Sequence, residues 1–261
     1  MNFSFVLFEY SVAFMFGTVI GSFLNVVIYR VPAGISIIKP ASHCPNCDRL
    51  VKPYENIPIL SYLFLRAKCA GCQTSISLKY PFIEALTGLS AVGLILNFGW
   101  SWDALIFFTL TAILIALSAI DFATYRLPNA ITLTGAIAAV ILTVLFKRDY
   151  IVSMLLGGLT GLSLLMLMGL IGSLLFRKAS LGMGDIKLAG MIGLFLGPAR
   201  TVGMFFLGVF LGAFVGGIVL ILGKKKMGQK IPFGPYLAGG AILVLFYGKE
   251  LWEWYMGIVI R

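Results

Sequence analysis

The sequence predicts an all-α polytopic membrane protein of about eight transmembrane helices, with a small cytosolic four-cysteine module inserted after the first helix. The composition is the first reason: 60% of the 261 residues are apolar and only 11% are charged. A soluble domain is nearer half apolar and a quarter charged. Long apolar runs recur along the chain, and all four cysteines fall in one polar stretch. These features exclude a soluble globular protein, a disordered chain and a secreted disulfide scaffold.

Eight apolar runs define the predicted helices. The first run, residues 8–31, has no basic residue before it, so we expect a retained helix rather than a cleaved signal peptide. The others are residues 81–98, 104–120, 130–146, 151–176, 188–199, 201–222 and 233–247. The run at 188–199 is short, and with the next run it could instead form one re-entrant hairpin.

The runs divide the chain into three predicted parts. Residues 1–29 form the first transmembrane helix, residues 30–79 the polar module, and residues 80–261 a seven-helix membrane domain. With the N-terminus outside, fifteen of the 20 basic residues fall in cytosolic segments, as the positive-inside rule requires. The net charge of +10 then reflects orientation and attraction to anionic lipid, and we expect no nucleic-acid partner.

The cysteines form two CxxC pairs, Cys44 with Cys47 and Cys69 with Cys72. Two such pairs at this spacing are typical of a structural zinc site with four thiolate ligands. A cytosolic position argues against disulfides, because that compartment keeps thiols reduced. A redox pair or four unrelated buried thiols are the alternatives. The single histidine, His43, is interpreted as a loop residue rather than a ligand.

Three of the ten acidic residues, Glu84, Asp121 and Asp185, lie near the cytosolic ends of predicted helices. Ionisable groups at membrane depth are costly and are functional candidates by default. If Asp121 and Asp185 converge, one carboxylate can activate a water while its partner donates a proton. The glycines before Asp185 would leave room for an extended substrate backbone. The alternative is that each aspartate forms an interfacial ion pair, with Arg126 or Lys187.

Six motifs in order resemble the bacterial type IV prepilin peptidases, the bifunctional leader peptidase and N-methyltransferase family of intramembrane GxGD aspartic proteases. They are residues 21–30, the paired CxxC module with residues 55–58 between its halves, residues 80–88, residues 121–129, the GxGD string at 182–185, and residues 232–236. Two positions depart from the family pattern: Asn129 stands where Asp is common, and Tyr236 where Phe is frequent.

The resemblance implies an enzyme of the bacterial inner membrane. Its substrates would be prepilins and pseudopilins of type IV pili or type II secretion, cut at the cytosolic face after a glycine that ends a basic leader. Asp121 and Asp185 would be the catalytic pair. The new N-terminus would then be methylated with S-adenosylmethionine, an activity of family members that carry the cysteine module. We expect Glu84 and Gly88 near the methyl donor, and an ion pair of Glu84 with Lys79 is the alternative.

Two other classes of function use the same residues differently. A small membrane transporter could use Asp121 and Asp185 as a proton or cation site. In a membrane assembly factor that is stabilised by zinc and has no catalytic activity, both aspartates would have structural roles. The zinc module and the ordered motifs favour the peptidase. The oligomeric state stays open.

Overall fold

The computed structural model describes residues 3–176, 181–222 and 232–259, and α-helix dominates them. The helices in chain order are α1 (Phe3–Arg30), α2 (Leu60–Phe64), α3 (Lys79–Phe98), α4 (Trp102–Thr124), α5 (Asn129–Phe146), α6 (Ile151–Phe176), α7 (Met183–Leu196), α8 (Pro198–Ile221) and α9 (Gly234–Val259). Short 3-10 helices occupy Pro53–Asn56 and Arg148–Tyr150. Within the described ranges, β structure is limited to two isolated bridges in the cysteine module.

The predicted all-helical fold is confirmed, because each of the eight apolar runs coincides with one helix. Six of these helices, α1, α3, α4, α5, α6 and α8, are long and apolar enough to cross a membrane. Helix α7 has 14 residues, fewer than the ~20 that span a bilayer. A single residue, Gly197, separates α7 from α8, with a φ of 74° that favours glycine. The basic clusters at 177–178, 224–226 and 230, which contribute to the predicted orientation, lie outside the described residues.

The chain forms two compact units, residues 1–116 and 117–261. In the first unit, α1 and α3 approach closely through glycines. A Cβ on Gly17 would lie 2.7 Å from Gly88 Cα, and one on Gly21 would lie 2.7 Å from Glu84 Cα. Such close approach through small residues is the usual packing of membrane helices, because it maximises van der Waals contact.

Small residues also bring helices together in the second unit. Gly157 and Gly161 of α6 face Gly193 and Ala189 of α7, so closely that a Cβ at Gly157, Gly161 or Gly193 would overlap a backbone carbonyl oxygen of the facing helix. Large apolar side chains that are almost fully buried complete the core of this unit: Ile120, Met154, Leu165, Leu188, Ile192, Leu196, Met204 and Leu237.

The Gly193→Ala change is expected to destabilise the second unit strongly. Its added methyl group would meet the carbonyl oxygen of Gly157, and backbone atoms cannot turn aside as a flexible side chain can. We expect a loss of about 2 kcal/mol or more, measured as a lower thermal unfolding midpoint in detergent. The control is Gly217→Ala on α8, where the new Cβ has nothing within 4 Å. Equal midpoints for the two variants would contradict the packing described here.

Candidate functional site

The cysteine module contains two turns of the same design. In one, the Cys44 N–H donates to the Arg49 carbonyl oxygen at 2.9 Å; in the other, the Cys69 N–H donates to the Thr74 carbonyl oxygen at 2.9 Å. Isolated bridges flank each turn, His43 with Leu50 and Lys68 with Ser75. The residue after the second cysteine is left-handed in both turns: Asp48 has a φ of 54° and Gln73 a φ of 58°. The repeated design presents two sulfurs from each turn.

The four sulfurs converge into a cluster that fits a tetrahedral metal. The Sγ atoms of Cys44, Cys47, Cys69 and Cys72 all lie within 4.8 Å of one another, and Cys44 Sγ is 3.8 Å from Cys72 Sγ. Tetrahedral zinc–sulfur bonds of about 2.3 Å require sulfurs about 3.8 Å apart. All four cysteines are free thiols rather than disulfides. The alternative of four unrelated thiols is therefore wrong.

Polar neighbours favour the thiolate form of two of the four cysteines, Cys69 and Cys72. The hydrogen bond between Cys72 Sγ and the Thr74 hydroxyl, and then the one from the Asn46 amide to this sulfur, lower the pKa of Cys72 to about 5. The Gly71 N–H donates to Cys69 Sγ at 3.4 Å. His43 is not part of the cluster, and its Nδ1 lies 3.1 Å from the Ala41 carbonyl oxygen. The donor set is thus four sulfurs, as a closed structural site requires.

An ion pair between Arg49 and Glu55 stabilises the segment that connects the two cysteine turns. Arg49 Nη2 lies 2.7 Å from Glu55 Oε1, and Glu55 Oε2 accepts the Lys52 N–H at 3.0 Å. The Lys52 hydrogen bond and then the Arg49 guanidinium lower the pKa of Glu55 below its ordinary value. Because Arg49 also belongs to the first cysteine turn, this pair links that turn to the chain leading to the second.

Replacing Cys44 with serine is expected to remove the metal. Three remaining thiolates leave an open coordination position, so bound zinc should fall from about one per chain towards zero. The measurement is metal analysis of the purified protein. His43→Ala is the matched control, since His43 adjoins Cys44 without belonging to the sulfur cluster, and it should retain the metal. Full zinc content in Cys44→Ser would place the metal elsewhere.

In the second unit, Asp121 lies near the end of α4 and is only 4% exposed. Its Oδ2 accepts a hydrogen bond of 3.1 Å from the N–H of Gly234, the first residue of α9. The first N–H groups of a helix have no partner within it, so α9 offers this donor without breaking a helical bond. A Cβ on Gly234 would lie 2.8 Å from Asp121 Oδ2, so any larger residue there must displace the carboxylate or α9.

Asp185 lies in the first turn of α7. The two glycines of the GxGD string have separate structural roles. A Cβ on Gly182 would lie 3.2 Å from Asp185 Oδ2, and one on Gly184 would lie 3.2 Å from Leu127 Cβ. Each glycine therefore accommodates an atom of this chain, and room for a substrate backbone beside Asp185 stays a prediction.

Leu127 connects the elements that carry the two aspartates. Helix α4 ends at a turn in which the Tyr125 N–H donates to the Asp121 carbonyl oxygen at 2.9 Å, and Tyr125 has a φ of 54°. Leu127 follows this turn and faces the starts of both α7 and α9, close to the Cα atoms of Gly184 and Gly234. The starts of α7 and α9 and the end of α4 thus meet around one side chain.

The ion-pair interpretation of the aspartates finds no support in the described residues. There, neither Asp121 nor Asp185 has a basic group within 4 Å. Lys187 instead donates from Nζ to Asn129 Oδ1 at 3.0 Å. Neither Arg126 nor Lys187 therefore neutralises the carboxylate of Asp121 or Asp185.

Glu84, in the first unit, is 8% exposed, and its Oε2 accepts the Ile59 N–H at 2.7 Å. That bond joins α3 to the segment between the two cysteine pairs, and it replaces the ion pair with Lys79 considered from the sequence. Gly88, one helical turn further, packs against α1, where its Cβ would lie 2.8 Å from Phe14 Cε2. The assignment of Glu84 and Gly88 to a methyl-donor site stays a prediction.

No separate role is predicted for Gly234 or Leu127 from the sequence, although each lies within one of the six motifs. The available signal was the Gly-Pro pair within residues 232–236. Glycine followed by a residue without an N–H is typical of a helix start that something else must approach closely. The sequence does not say which of the ten acids approaches it.

Two family models match the chain. The bacterial Peptidase A24 N-terminal domain covers residues 15–98, and the type IV leader peptidase family covers residues 108–217.

Three relatives, each called prepilin leader peptidase/N-methyltransferase, illustrate the match. That of Aeromonas hydrophila is 32% identical over 95% of this chain and 93% of its own length. That of Neisseria gonorrhoeae is 33% identical over 97% of each. That of Myxococcus xanthus is 37% identical over 83% of this chain, which spans 64% of the relative. No solved structure matches. The chain belongs to the type IV leader peptidase family.

Proposed function

We propose that this protein removes the basic leader from type IV prepilins or pseudopilins, cutting after a glycine, and then methylates the new N-terminal residue with S-adenosylmethionine. One observation carries the peptidase assignment: the type IV leader peptidase family matches residues 108–217, which contain both Asp121 and Asp185. Family membership favours this reaction over the transporter and the non-catalytic assembly factor.

Asp121 and Asp185 are the proposed catalytic pair. Asp121 Oδ2 is occupied by the Gly234 N–H, which leaves Oδ1 to take a proton from the attacking water. The water oxygen bonds to the scissile carbonyl carbon while Asp185 gives a proton to the carbonyl oxygen. When the tetrahedral intermediate collapses, the carbon–nitrogen bond breaks and the amine leaves with the proton that Asp121 took. The hydroxyl proton of the intermediate returns to Asp185, so both aspartates recover their starting state.

Zinc is the proposed occupant of the cysteine cluster, where it would hold the module together rather than react. The four sulfurs leave no open position for a substrate. We assign residues 30–79 to a module associated with methyl transfer, residues 1–29 to the first transmembrane helix and residues 80–261 to the peptidase domain. The hydrogen bond from Ile59 to Glu84 supports a methyl-donor site near Glu84 and Gly88, because it joins this module to α3.

The proposed location is the bacterial inner membrane, with the N-terminus outside and both sites on the cytosolic side. Support comes from the distribution of basic residues, fifteen of 20 of which fall in segments assigned to the cytosol. A membrane-surface position for Asp121 and Asp185 suits a substrate with a charged leader and an apolar segment, since the junction of the two then lies at the boundary between water and lipid.

The direct test uses the full chain, purified in detergent and incubated with a prepilin. Mass spectrometry should show loss of the leader after its terminal glycine. Addition of S-adenosylmethionine with an isotopically labelled methyl group should then add one labelled methyl to the new N-terminus. An intact prepilin would refute the peptidase assignment, and a cleaved but unlabelled pilin would refute the methyltransferase assignment alone.

A further inference from the structure

The segment that connects the two cysteine turns reaches the side of α3. Ile59 lies directly before α2, and its N–H donates to Glu84 Oε2 at 2.7 Å. Glu84 is the sixth residue of α3, so its Cα lies about 7.5 Å along the helix axis from the first residue, Lys79. The bond therefore holds the start of α2 at the level of the first two turns of α3.

Those first turns of α3 lie within the membrane. The helix has 20 residues and is apolar enough to cross a bilayer. Its length is about 30 Å, which equals the thickness of the hydrocarbon core. A helix of that length spans the core only if nearly all of its turns lie in it. The start of α2 is therefore held at the boundary between hydrocarbon and headgroups.

An unusual turn at Ile59 leads the chain into α2. Ile59 has a φ of 61° and a ψ of −49°, and the Leu60 N–H donates to the Pro58 carbonyl oxygen. This is a γ-turn of the rare, strained type. A β-branched residue seldom has a positive φ, so surrounding contacts must hold it there. The bond to Glu84 is such a contact, and it fixes the position of α2 more firmly than chain connection alone.

Helix α2 has an apolar face that no other part of the described chain covers. Leu60, Leu63 and Phe64 are spaced as i, i+3 and i+4, so they lie on one side of the helix, and all three are exposed. Ser61 and Tyr62, on the other side, are half-buried. Because this helix lies at the level of the membrane boundary, its apolar face has lipid beside it.

Two basic residues follow the apolar face directly. Arg66 and Lys68 are exposed, and among the described residues neither has a carboxylate within 4 Å. An apolar face combined with basic residues is typical of helices that lie in the surface of an anionic membrane. An apolar protein partner would cover the leucines but would leave both positive charges unmatched.

We propose that the apolar face of α2 inserts into the lipid leaflet on the side of the cysteine module, and that Arg66 and Lys68 bind anionic headgroups of this leaflet. Residues 60–68 thus form an interfacial anchor. The inference rests on the proposed orientation, which places the anchor in the cytosolic leaflet, where anionic lipids attract basic segments. The anchor ends one residue before Cys69, so it holds the second cysteine turn at the membrane surface.

Quenching by brominated lipid tests the anchor with two exposed leucines of the same module. Leu63 of α2 is 64% exposed, and Leu50, which follows the first cysteine turn, is 62% exposed. A fluorescent amino acid replaces one or the other in the full chain. The nanodiscs hold one chain each, which prevents a second copy from covering α2, and contain phosphatidylcholine and phosphatidylglycerol with brominated acyl chains. Quenching at position 63 should exceed that at position 50 several-fold. Equal quenching would overturn the proposal.

The headgroup contacts are tested by changing the charge of lipid and protein. Quenching at position 63 should rise when brominated phosphatidylglycerol replaces part of the brominated phosphatidylcholine. The rise should disappear in a chain with Arg66→Gln and Lys68→Gln. The matched control carries Lys39→Gln and Lys52→Gln, which remove the same charge from exposed lysines elsewhere in the module, and it should keep the rise. No rise in the wild type, or equal loss in both variants, would overturn headgroup binding by the anchor.

Neither measurement uses prepilin, so each result is independent of the proposed function. A chain that cleaves prepilin but shows no preferential quenching at position 63 refutes the anchor alone. Preferential quenching in a chain that leaves prepilin intact supports the anchor and refutes the peptidase assignment alone.

Discussion

Asp121→Asn and Asp185→Asn are each expected to reduce prepilin cleavage by about 100-fold to 10,000-fold, the range that general acid–base catalysis contributes. Asparagine has nearly the same shape as aspartate but neither takes a proton from water nor gives one to a carbonyl oxygen. The loss should appear in kcat, with little change in KM, because substrate binding uses other surfaces. The measurement is the initial rate of leader removal at several prepilin concentrations.

Asp149→Asn is the matched control for these variants. Asp149 is an exposed aspartate of the same unit, in the short 3-10 helix between α5 and α6. It should cleave at the wild-type rate. The double variant of Asp121 and Asp185 should be no slower than the worse single variant, because two groups that act in one step are not additive. Wild-type cleavage by either single variant would remove the dyad from the mechanism.

Gly234→Ala is expected to lower kcat by about tenfold to 100-fold while leaving thermal stability nearly unchanged. The new methyl group would lie 2.8 Å from Asp121 Oδ2, so the carboxylate must turn away or the start of α9 must move. Either shift breaks the hydrogen bond from Gly234 and misplaces the carboxylate, and a displacement of about 1 Å can cost 100-fold in rate. Alanine favours helix more than glycine does, so backbone propensity does not oppose the change.

The test of Gly234→Ala compares its kcat with its thermal unfolding midpoint. Gly217→Ala on α8 is the control, since its new Cβ meets nothing within 4 Å, and it should change neither quantity. If Gly234→Ala retained wild-type kcat, the contact with Asp121 would have no part in catalysis. If it unfolded at a much lower temperature, the role of Gly234 would be packing.

The sequence predicted the helices well, because uninterrupted apolar runs leave the backbone no other way to satisfy its hydrogen bonds in a membrane. Their ends were less predictable. Helix α7 starts at Met183 rather than 188, because glycines and a carboxylate are well tolerated in a first turn, where N–H groups are free. Helix α9 continues to Val259, whereas the apolar run that predicted it ends at residue 247. The added turns include polar residues, and Lys249 Nζ lies 3.9 Å from Glu253 Oε1 one turn away.

The candidate sites also differ in how well the sequence predicts them. The cysteine cluster was readable because each CxxC pair places its own two sulfurs, and the structure needed only to bring the pairs together. The bond between Gly234 and Asp121 joins residues 113 positions apart, and no local pattern encodes such a pairing. An ion pair with Lys79, close in sequence, was the alternative considered for Glu84, but its carboxylate accepts a hydrogen bond from the backbone of Ile59, which belongs to the cysteine module.

The Gly234 N–H, which donates to Asp121, is synthesised late in translation. A ribosome makes Asp121 and Asp185 before it makes Gly234, which follows Asp185 by 49 residues. A nascent chain that already carries both carboxylates therefore lacks the amide that orients one of them. Its proteolytic activity is therefore expected only after α9 has entered the membrane.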